Sequence, residues 1–423
     1  MSSPRSAHLV VVLVALAAAP SLVAAQEGAA DVGTRLLADA TVRAALDAAK
    51  AGEPQLLDDQ VRICAIPAPP FKEGERAREL ERLFTELGLR NVRVDRVGNV
   101  IGERPGRAPR PNLVLAAHLD TVFPEGTDVR VTREGSLLKG PGIGDDCRGL
   151  AVVVGVVRAL ETGKVQTPGT ITFVANVGEE GLGDLRGARH LFEEELKGRI
   201  DRFVSVDGTG LDITHIGVGS RRYRVTYKGP GGHSYGAFGM ASPIHALGRA
   251  IAKVGDLQVP AQPKTTFTVG RIGGGTSVNS IAYEAWMEVD MRSADATALA
   301  AVDATFTEAI ATALREENAR WNDKGRLTLV TDLVGDRPAG RTPESAAIVQ
   351  AAVSVTTALG LPVALNEGST DSNVPMSLAI PAVTIDGGGK GTGAHSLSEA
   401  FDSTDSWKGT QRALLLAIAL TRP

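Results

Sequence analysis

The sequence predicts an α/β fold that is interrupted by an insert of α+β type. Its main feature is a set of short, almost continuously apolar runs, which are typical of strands buried on both faces of a sheet. These runs are 112–117, 170–177, 203–206 and 382–386. From about residue 217 to about residue 334 the pattern changes, and strands with one polar face appear instead. This change predicts a second structural unit inside the first.

Helices are predicted around these strands. Apolar residues at helical spacing predict helices at 31–50 and 73–88, and the segment Pro67-Ala-Pro-Pro70 breaks the chain between them. The apolar run 150–160 predicts a buried helix. A helix at 344–359 then precedes the last strand and a C-terminal helix, which return the chain to the first unit.

The insert has its own order of elements. Residues 221–228 alternate between polar and apolar, as expected for a strand with one exposed face. Helical spacing follows at 243–254, strands are predicted at 265–269 and 285–292, and a long helix is predicted at about 295–319. This order predicts helices packed on one face of an antiparallel sheet.

Composition excludes one class of partner. The chain has 423 residues, of which 43% are hydrophobic, so it is long enough for a large core and for two or three domains. The formal net charge is −4, with both signs interspersed and no basic stripe. We therefore expect no nucleic acid as a partner.

The first 25 residues have the pattern of a secretory signal. Arg5 precedes the apolar run 9–19, and the small residues Val23-Ala24-Ala25 form a cleavage site. The run is too short to span a membrane, although an uncleaved N-terminal anchor is an alternative. We expect a periplasmic or secreted protein that has no membrane contact after cleavage. Such a compartment permits a disulfide between Cys64 and Cys147, which sequence alone does not decide.

Residues capable of binding metal ions follow the apolar runs. In an open α/β sheet such residues converge beyond the carboxyl ends of the strands, so distant parts of the chain can build one site. A single His or a Glu pair more often belongs to a solvated surface, but here the residues form an ordered set. The set comprises His118 and Asp120, Glu179 and Glu180, Asp207, His395, and Asp145 in the glycine-rich turn 140–149.

These motifs resemble a family of co-catalytic zinc metallopeptidases. It includes tripeptidase (peptidase T), carnosine-type dipeptidases, aminoacylase, carboxypeptidase G, acetylornithine deacetylase and succinyl-diaminopimelate desuccinylase. The matching segments are 117–122, 140–146, 178–180, 205–207, 229–234 and 394–396. The resemblance implies a mixed-sheet di-zinc catalytic domain with an inserted lid or dimerisation domain. The domain limits expected from it are 1–25 for the signal, 26–216 and 335–423 for the catalytic domain, and 217–334 for the insert.

The resemblance also implies a role for each residue of the set. Asp145 is expected to bridge two zinc ions, one of which is also bound by His118 and Asp207. Glu180 and His395 are expected to bind the other. Glu179 is then the general base, and Asp120 orients His118. A cis peptide bond is implied between Asp145 and Asp146.

Residues of the insert are expected to contact the substrate. By resemblance, His233 reaches the active site of a partner subunit or of a closed form, and Asn279 and Arg292 hold a substrate carboxylate, a task suited to a guanidinium. Their structural alternatives are a turn histidine, a turn asparagine and a solvated arginine. The resemblance also implies a homodimer formed through the insert.

The predicted function is a di-zinc metallohydrolase that cleaves small peptides as a di- or tripeptidase-like exopeptidase. The alternatives are an N-acyl amino acid deacylase of the same family and a non-catalytic periplasmic peptide-binding protein. Cobalt or manganese would suit the same ligands. The chain departs from many members of the family at Cys147 and Arg148, which places a thiol near Asp145, and Cys147 as a third kind of ligand is a minor alternative.

Overall fold

A computed structural model describes residues 31–423, so the predicted signal segment lies outside the described residues. The α-helices of the described part, in chain order, are α1 Val32–Leu37, α2 Ala40–Ala51, α3 Glu53–Cys64, α4 Gly74–Glu86, α5 Cys147–Thr162, α6 Arg186–His190, α7 Pro243–Gly255, α8 Ala296–Arg320, α9 Ala347–Ala358, α10 Asn373–Ser377 and α11 Trp407–Leu420. A 3₁₀ turn at Gly181–Gly183 and a π turn at Leu191–Glu195 flank α6.

The strands fall into four sheets. In chain order they are β1 Arg90–Val94, β2 Val100–Arg104, β3 Asn112–His118, β4 Thr132–Glu134, β5 Leu137–Lys139, β6 Thr170–Asn176, β7 Arg202–Val206, β8 Ile213–Gly217, β9 Gly219–Lys228, β10 Gly232–His233, β11 Thr265–Gly274, β12 Ser280–Ile281, β13 Glu284–Ser293, β14 Thr328–Arg337, β15 Gly340–Arg341, β16 Leu365–Gly368, β17 Ala382–Ile385, β18 Lys390–Thr392 and β19 Ala400–Asp402.

The largest sheet is mixed, as predicted. Its order is β1-β2-β6-β3-β7-β17-β8-β15, with β16 beside β8. The four central strands, β6, β3, β7 and β17, run parallel to one another, and β1, β2, β8 and β15 pair antiparallel at the sides. These four central strands are the four apolar runs predicted from the sequence.

Burial on both faces explains why these strands are apolar throughout. All seven residues of β3 are buried. Leu113 and Leu115 pack into the core shared with the helices on one side of the sheet, and Val114 and Ala116 pack into a second core on the other side. The predicted buried helix is α5, in which 13 of the 16 residues are buried.

One predicted helix is divided in two. The sequence suggested a helix over 31–50, but α1 ends at Leu37 and α2 begins at Ala40. Asp39 lies between them in an extended conformation, and its carboxylate accepts a hydrogen bond from the Thr41 N–H at 2.8 Å. This is the geometry of an N-cap, which starts a new helix.

The insert is a four-stranded antiparallel sheet with helices on one face, as predicted. The order of its strands is β11-β13-β9-β14, and α7 and α8 pack on the face that carries Val225, Tyr227, Met287 and Met291. The sequence prediction missed β14, an edge strand of ten residues that ends at Arg337. At the end of β14 the chain leaves the insert and re-enters the catalytic domain.

Within residues 31–423, α8 is the one helix whose length and apolar content would suffice to cross a membrane. Its buried side chains include Leu299, Phe306 and Ile310, and they pack in the core between α8 and the insert sheet. The helix therefore packs one face on the insert sheet and leaves the opposite face exposed.

A small sheet and a disulfide hold the glycine-rich turn. The sheet has the order β18-β19-β5-β4, so β5, which leads into the turn 140–149, lies in one sheet with β18, which leads towards His395. Cys64 at the end of α3 and Cys147 at the start of α5 form a disulfide and are fully buried. Cys147 is therefore bonded to sulfur and is not available as a metal ligand.

Candidate metal centre

The central strands deliver the predicted ligands to one edge of the sheet. His118 is the last residue of β3, Glu179 and Glu180 follow β6, and Asp207 follows β7. Since β6, β3 and β7 are parallel neighbours, their carboxyl ends meet at this edge. Asp145 and His395 reach the same place from the two loops that the small sheet joins.

Asp145 lies between two histidines. Its Oδ1 is 3.0 Å from Nε2 of His118, and its Oδ2 is 3.0 Å from Nε2 of His395. On the first side, Asp207 Oδ1 is 3.8 Å from His118 Nε2. On the second side, Glu180 Oε1 is 3.1 Å from His395 Nε2. One carboxylate thus faces two separate groups of N and O atoms, one with each of its oxygens.

These two groups are the ligand sets expected from the sequence. The atoms of His118, Asp145 and Asp207 lie within 4.8 Å of one another, and so do those of Asp145, Glu180 and His395. A third group of this size combines His118 with Glu179 and Glu180. Distance alone therefore does not show which of the two glutamates is the metal ligand. The structure brings all five predicted ligands together, and their individual roles stay predictions.

The ring nitrogens and carboxylate oxygens that face one another at this site require a positive charge between them. Nδ1 of His118 lies 3.0 Å from the backbone oxygen of Asp120, which can only accept, so a neutral ring carries its proton on Nδ1. Nε2 then has a free lone pair that faces carboxylate oxygens of Asp145 and Asp207. Acceptors facing one another at this distance need a proton or a metal ion between them. The residues present therefore fit a pair of divalent cations with nitrogen and oxygen ligands.

The contacts between these histidines and carboxylates also shift the pKa values of both kinds of group. Hydrogen bonds to Asp145 and Glu180 raise the pKa of His395 to about 10. Burial alone would raise the pKa of Asp145, but the hydrogen bonds from His118 and His395 lower it well below its usual range. The carboxylates therefore attract a positive charge strongly. A metal ion would displace the imidazole protons, so metal binding releases protons and strengthens as the pH rises.

Two acidic side chains position the ligands. The Asp120 carboxylate accepts the backbone N–H groups of Glu179 at 3.0 Å and of Glu180 at 2.8 Å. It was expected to orient His118, but it is the Asp120 backbone oxygen that contacts the ring, while the carboxylate Oδ1 is 3.7 Å from Nδ1. Asp146 accepts the backbone N–H groups of His118 and Gly149. The peptide bond between Asp145 and Asp146 is cis, as the resemblance implied.

The sequence analysis missed Glu399, which holds the glycine-rich turn. Its carboxylate accepts backbone N–H groups from Gly142 and Gly144 at 2.8 Å and from Asp145 at 3.1 Å. Gly142 has φ +79°, and a Cβ there would lie 2.7 Å from the Thr121 side chain, so this turn needs glycine. Three hydrogen bonds to one buried carboxylate fix the backbone that carries Asp145.

Comparison with known proteins agrees with this geometry. The sequence profile of peptidase family M20/M25/M40 matches residues 114–419, which contain all five predicted ligands. The chain belongs to this family. The resemblance stated from the motifs is thereby confirmed.

Curated M20 relatives include two proteins with different named activities. One is the succinyl-diaminopimelate desuccinylase of Corynebacterium glutamicum, 28% identical over 249 residues, which are 57% of this chain and 66% of that protein. The other is carboxypeptidase G2 of Pseudomonas sp., 33% identical over 148 residues, 33% of this chain and 35% of that protein. The chain matches less than two thirds of the length of either relative.

Solved M20-like structures show the same fold over nearly their whole length. The aminopeptidase PepT of Bacillus cereus has a TM-score of 0.70 at 22% identity, covering 87% of this chain and 98% of that one. The Bacillus subtilis YXEP protein, a dinuclear metal-binding peptidase from the M20 family, has a TM-score of 0.64 at 19% identity, covering 88% and 99%. These likenesses establish the fold.

The candidate metal centre opens into a cavity of about 690 Å³ between the catalytic domain and the insert. Asp145, Glu179, Glu180, Asp207 and His395 line this metal cavity from the catalytic side. The sheet of the insert contributes three arginines, which are Arg222, Arg292 and Arg337, since β14 extends beyond the expected limit of the insert at 334. Arg292 thus lies in the lining of this cavity, and its contact with a substrate carboxylate stays a prediction.

Arg337, at the end of β14, was missed. Its Nη1 donates to Glu179 Oε1 at 3.0 Å and to Ser369 Oγ at 3.1 Å, and its Nη2 donates to the backbone oxygen of Glu179. Burial raises the pKa of Glu179 well above its usual range, and the charge of Arg337 opposes this rise. Arg337 thus fixes Glu179 and favours its charged form.

His233 and Asn279 do not line the metal cavity of their own chain. Register explains this: β9 and β13 are antiparallel, with Arg292 opposite Ser220 and Glu284 opposite Lys228. His233 follows the far end of β9, and Asn279 precedes the same end of β13, about 30 Å along the strands from Arg292. Their predicted contact with substrate requires a partner subunit or a different arrangement of the insert.

Proposed function

We propose that this M20 chain is a di-zinc exopeptidase that hydrolyses amide bonds of small peptides. The observation that carries the proposal is Asp145, whose two carboxylate oxygens face Nε2 of His118 and Nε2 of His395 at 3.0 Å each, in a cavity that Glu179 also lines. A bridging carboxylate between two sets of N and O ligands suits two metal ions. An adjacent buried glutamate suits proton transfer.

Each ligand has a role in this proposal. His118 and Asp207 would hold one ion, Glu180 and His395 the other, and Asp145 both. When bound, the ions supply Lewis acidity that lowers the pKa of water and polarises the amide carbonyl. Zinc is the proposed metal, since two imidazoles and several carboxylates suit it, and cobalt or manganese would fit the same ligands.

Glu179 would act as the general base. It takes a proton from the attacking water and returns it to the leaving amine, which needs a carboxylate that is charged at first and stable when protonated. Burial stabilises its neutral form, and Arg337 stabilises its charged form. A site that only binds peptides would need no such proton carrier, which argues against the binding-protein alternative.

Two features favour a small substrate with a free carboxylate. The metal cavity holds about 690 Å³, and the insert closes one side of it. Arg292 lines it, and its Nε donates to Asp290 Oδ2 at 2.7 Å, which orients the guanidinium. By the family resemblance, Asp at position 207 goes with di- and tripeptidases, whereas Glu is frequent among deacylases and carboxypeptidases. The relatives named as a desuccinylase and a carboxypeptidase support the alternative, an N-acyl amino acid deacylase.

A substrate panel distinguishes these two activities. Metal-loaded enzyme is incubated with di- and tripeptides that have free amines and with N-acyl derivatives of the same amino acids, and the products are measured by mass spectrometry. We expect turnover of the free-amine peptides, abolished by a chelator and restored by zinc. Hydrolysis of the N-acyl amino acids alone would establish the deacylase, and chelator-resistant turnover would exclude the metal mechanism.

We also propose a homodimer in which His233 reaches the partner's metal cavity. The support is the position of His233 far from its own cavity, beside exposed apolar side chains of Tyr235 and Val278, which are 90% and 102% exposed. Exposed apolar side chains that lie next to one another are typical of interfaces. Light scattering should give twice the mass of one chain. A fully active monomer would exclude donation of His233 in trans.

Export is the last part of the proposal. The signal pattern of residues 1–25 supports it, and so does the Cys64–Cys147 disulfide, since such bonds persist in oxidising compartments. The measured mass of the mature protein, isolated from its natural source, should correspond to a chain that begins after Ala25. A mature chain that retains Met1 in a reducing compartment would contradict export.

A further inference from the structure

A second cavity adjoins the metal cavity. This side cavity has a volume of about 350 Å³, within the range of small-molecule sites. Arg222 and Asp290 line both cavities and therefore form their common boundary. Of its apolar or aromatic lining residues, Leu182 is exposed and Val334 is half-buried, and the proposed chemistry uses neither. The side chains of the other two, Tyr223 and Val289, pack into the core between the insert sheet and its helices.

Arg222 is held in place at this boundary from both domains. Its Nη1 donates to the backbone oxygen of Gly181 at 3.0 Å, and its Nε donates to Asp290 Oδ1 at 2.9 Å. The next residue of the catalytic domain, Leu182, is 63% exposed. Because Leu182 lines the side cavity two residues after Glu180, it offers apolar surface close to the metal ligands, and covering that surface would be favourable.

The charged residues around the side cavity are already paired. Arg271 Nη1 donates to Glu288 Oε2 at 2.9 Å, and Arg224 Nη1 donates to Glu288 Oε1 at 2.8 Å. Asp290 accepts hydrogen bonds from both Arg222 and Arg292. Both carboxylates of the rim are therefore paired with arginines, and the space beside Leu182 and Val334 suits an uncharged, apolar group.

We infer that the side cavity is a specificity subsite for an apolar side chain or acyl group of the substrate whose amide bond lies at the metal centre. This inference rests on the proposed function and deepens it. A peptide side chain and an acyl chain share the required chemistry, and substrates of both kinds distinguish them. Arg222 is then the boundary between the reacting amide and the apolar group.

Gly270 offers a way to fill this subsite without disturbing the fold. It lines the side cavity at the point where the register of β11 and β13 shifts between Val269 and Arg271. A Cβ built on Gly270 meets no atom within 4 Å. Gly248, on the exposed face of α7, has the same free space and lies outside the lining of both cavities. Gly248→Phe is therefore a matched control for Gly270→Phe.

The test compares small and bulky substrates in two series, dialanine with dileucine and N-acetylalanine with N-octanoylalanine. We expect Gly270→Phe to lower kcat/KM for the bulky member of one series by at least about 10-fold, mainly through KM. The small member and Gly248→Phe should match wild type. The series that shows the loss identifies the source of the apolar group. Leu182→Asn should weaken the same bulky substrate selectively.

Equal loss for small and bulky substrates, or no loss in either series, would overturn the inference. If wild-type enzyme hydrolyses no substrate of either series, the proposed function fails, and the subsite is still tested by calorimetric titration. The bulky compounds should then bind wild type more tightly than the small ones, and Gly270→Phe should remove that difference. Retention of the difference in Gly270→Phe would exclude the side cavity as the subsite.

Discussion

Replacement of Glu179 by Gln is expected to reduce turnover by roughly 10²–10⁴-fold, the range for loss of a general base, while both metal ions and the fold remain. The amide side chain fills the same space and can still accept a hydrogen bond from Arg337, but it cannot take a proton from water. Steady-state kinetics and metal analysis of the purified variant check both parts. Glu75→Gln, on the exposed face of α4, serves as the control.

The same substitution at the neighbouring residue, Glu180, shows which glutamate is the general base and which is the metal ligand. Glu180 Oε1 lies 3.1 Å from His395 Nε2, so Glu180→Gln is expected to lose metal as well as activity. Full metal content in Glu180→Gln, together with metal loss in Glu179→Gln, would mean that the two roles are reversed. The close group of His118, Glu179 and Glu180 makes this a necessary comparison.

Replacement of Asp145 by Asn is expected to weaken both metal sites at once. An amide has no negative charge, and its nitrogen cannot coordinate a metal, so one of the two positions next to the histidines loses its ligand and both lose the shared charge. Affinity at each site should fall by more than the roughly 10–100-fold typical of losing an outer-shell partner. Equilibrium dialysis with zinc, against Asp47→Asn on the exposed face of α2, measures the change.

His395→Ala provides the matching comparison for Asp145→Asn. His395 contacts Asp145 Oδ2 and Glu180 but not His118, so its loss should empty one site and leave the other filled. Loss of a single ion from Asp145→Asn would contradict the bridging role of this carboxylate.

The central strands and the ligand set could be predicted from the sequence because both depend on local pattern. Strands buried on two faces must be apolar throughout, and each ends at a polar residue where the sheet meets the cavity. His118 and Asp207 are located by this rule alone. Asp145 and His395 follow no long strand, and the family resemblance was needed to relate them.

Other residues of the site could not be predicted because their contacts are long-range. The Glu399 carboxylate accepts hydrogen bonds from backbone N–H groups about 255 positions earlier in the chain. Arg337 donates a hydrogen bond to Glu179, which lies 158 positions earlier. No local spacing indicates such contacts. Arg337 also depends on β14, an exposed edge strand whose weak alternation gave no prediction. The position of His233 depends on which residues of β9 and β13 pair, whereas the alternation of polar and apolar residues shows only which face of the sheet each residue occupies.

A crystal structure of the zinc-loaded protein, with anomalous data collected at the zinc edge, tests the central claim most directly. We predict two anomalous peaks, one on each side of the Asp145 carboxylate, each about 2.0–2.2 Å from its nearest carboxylate oxygen. His118 and Asp207 should bind one ion, and Glu180 and His395 the other. A single peak, or peaks that do not contact Asp145, would contradict the claim.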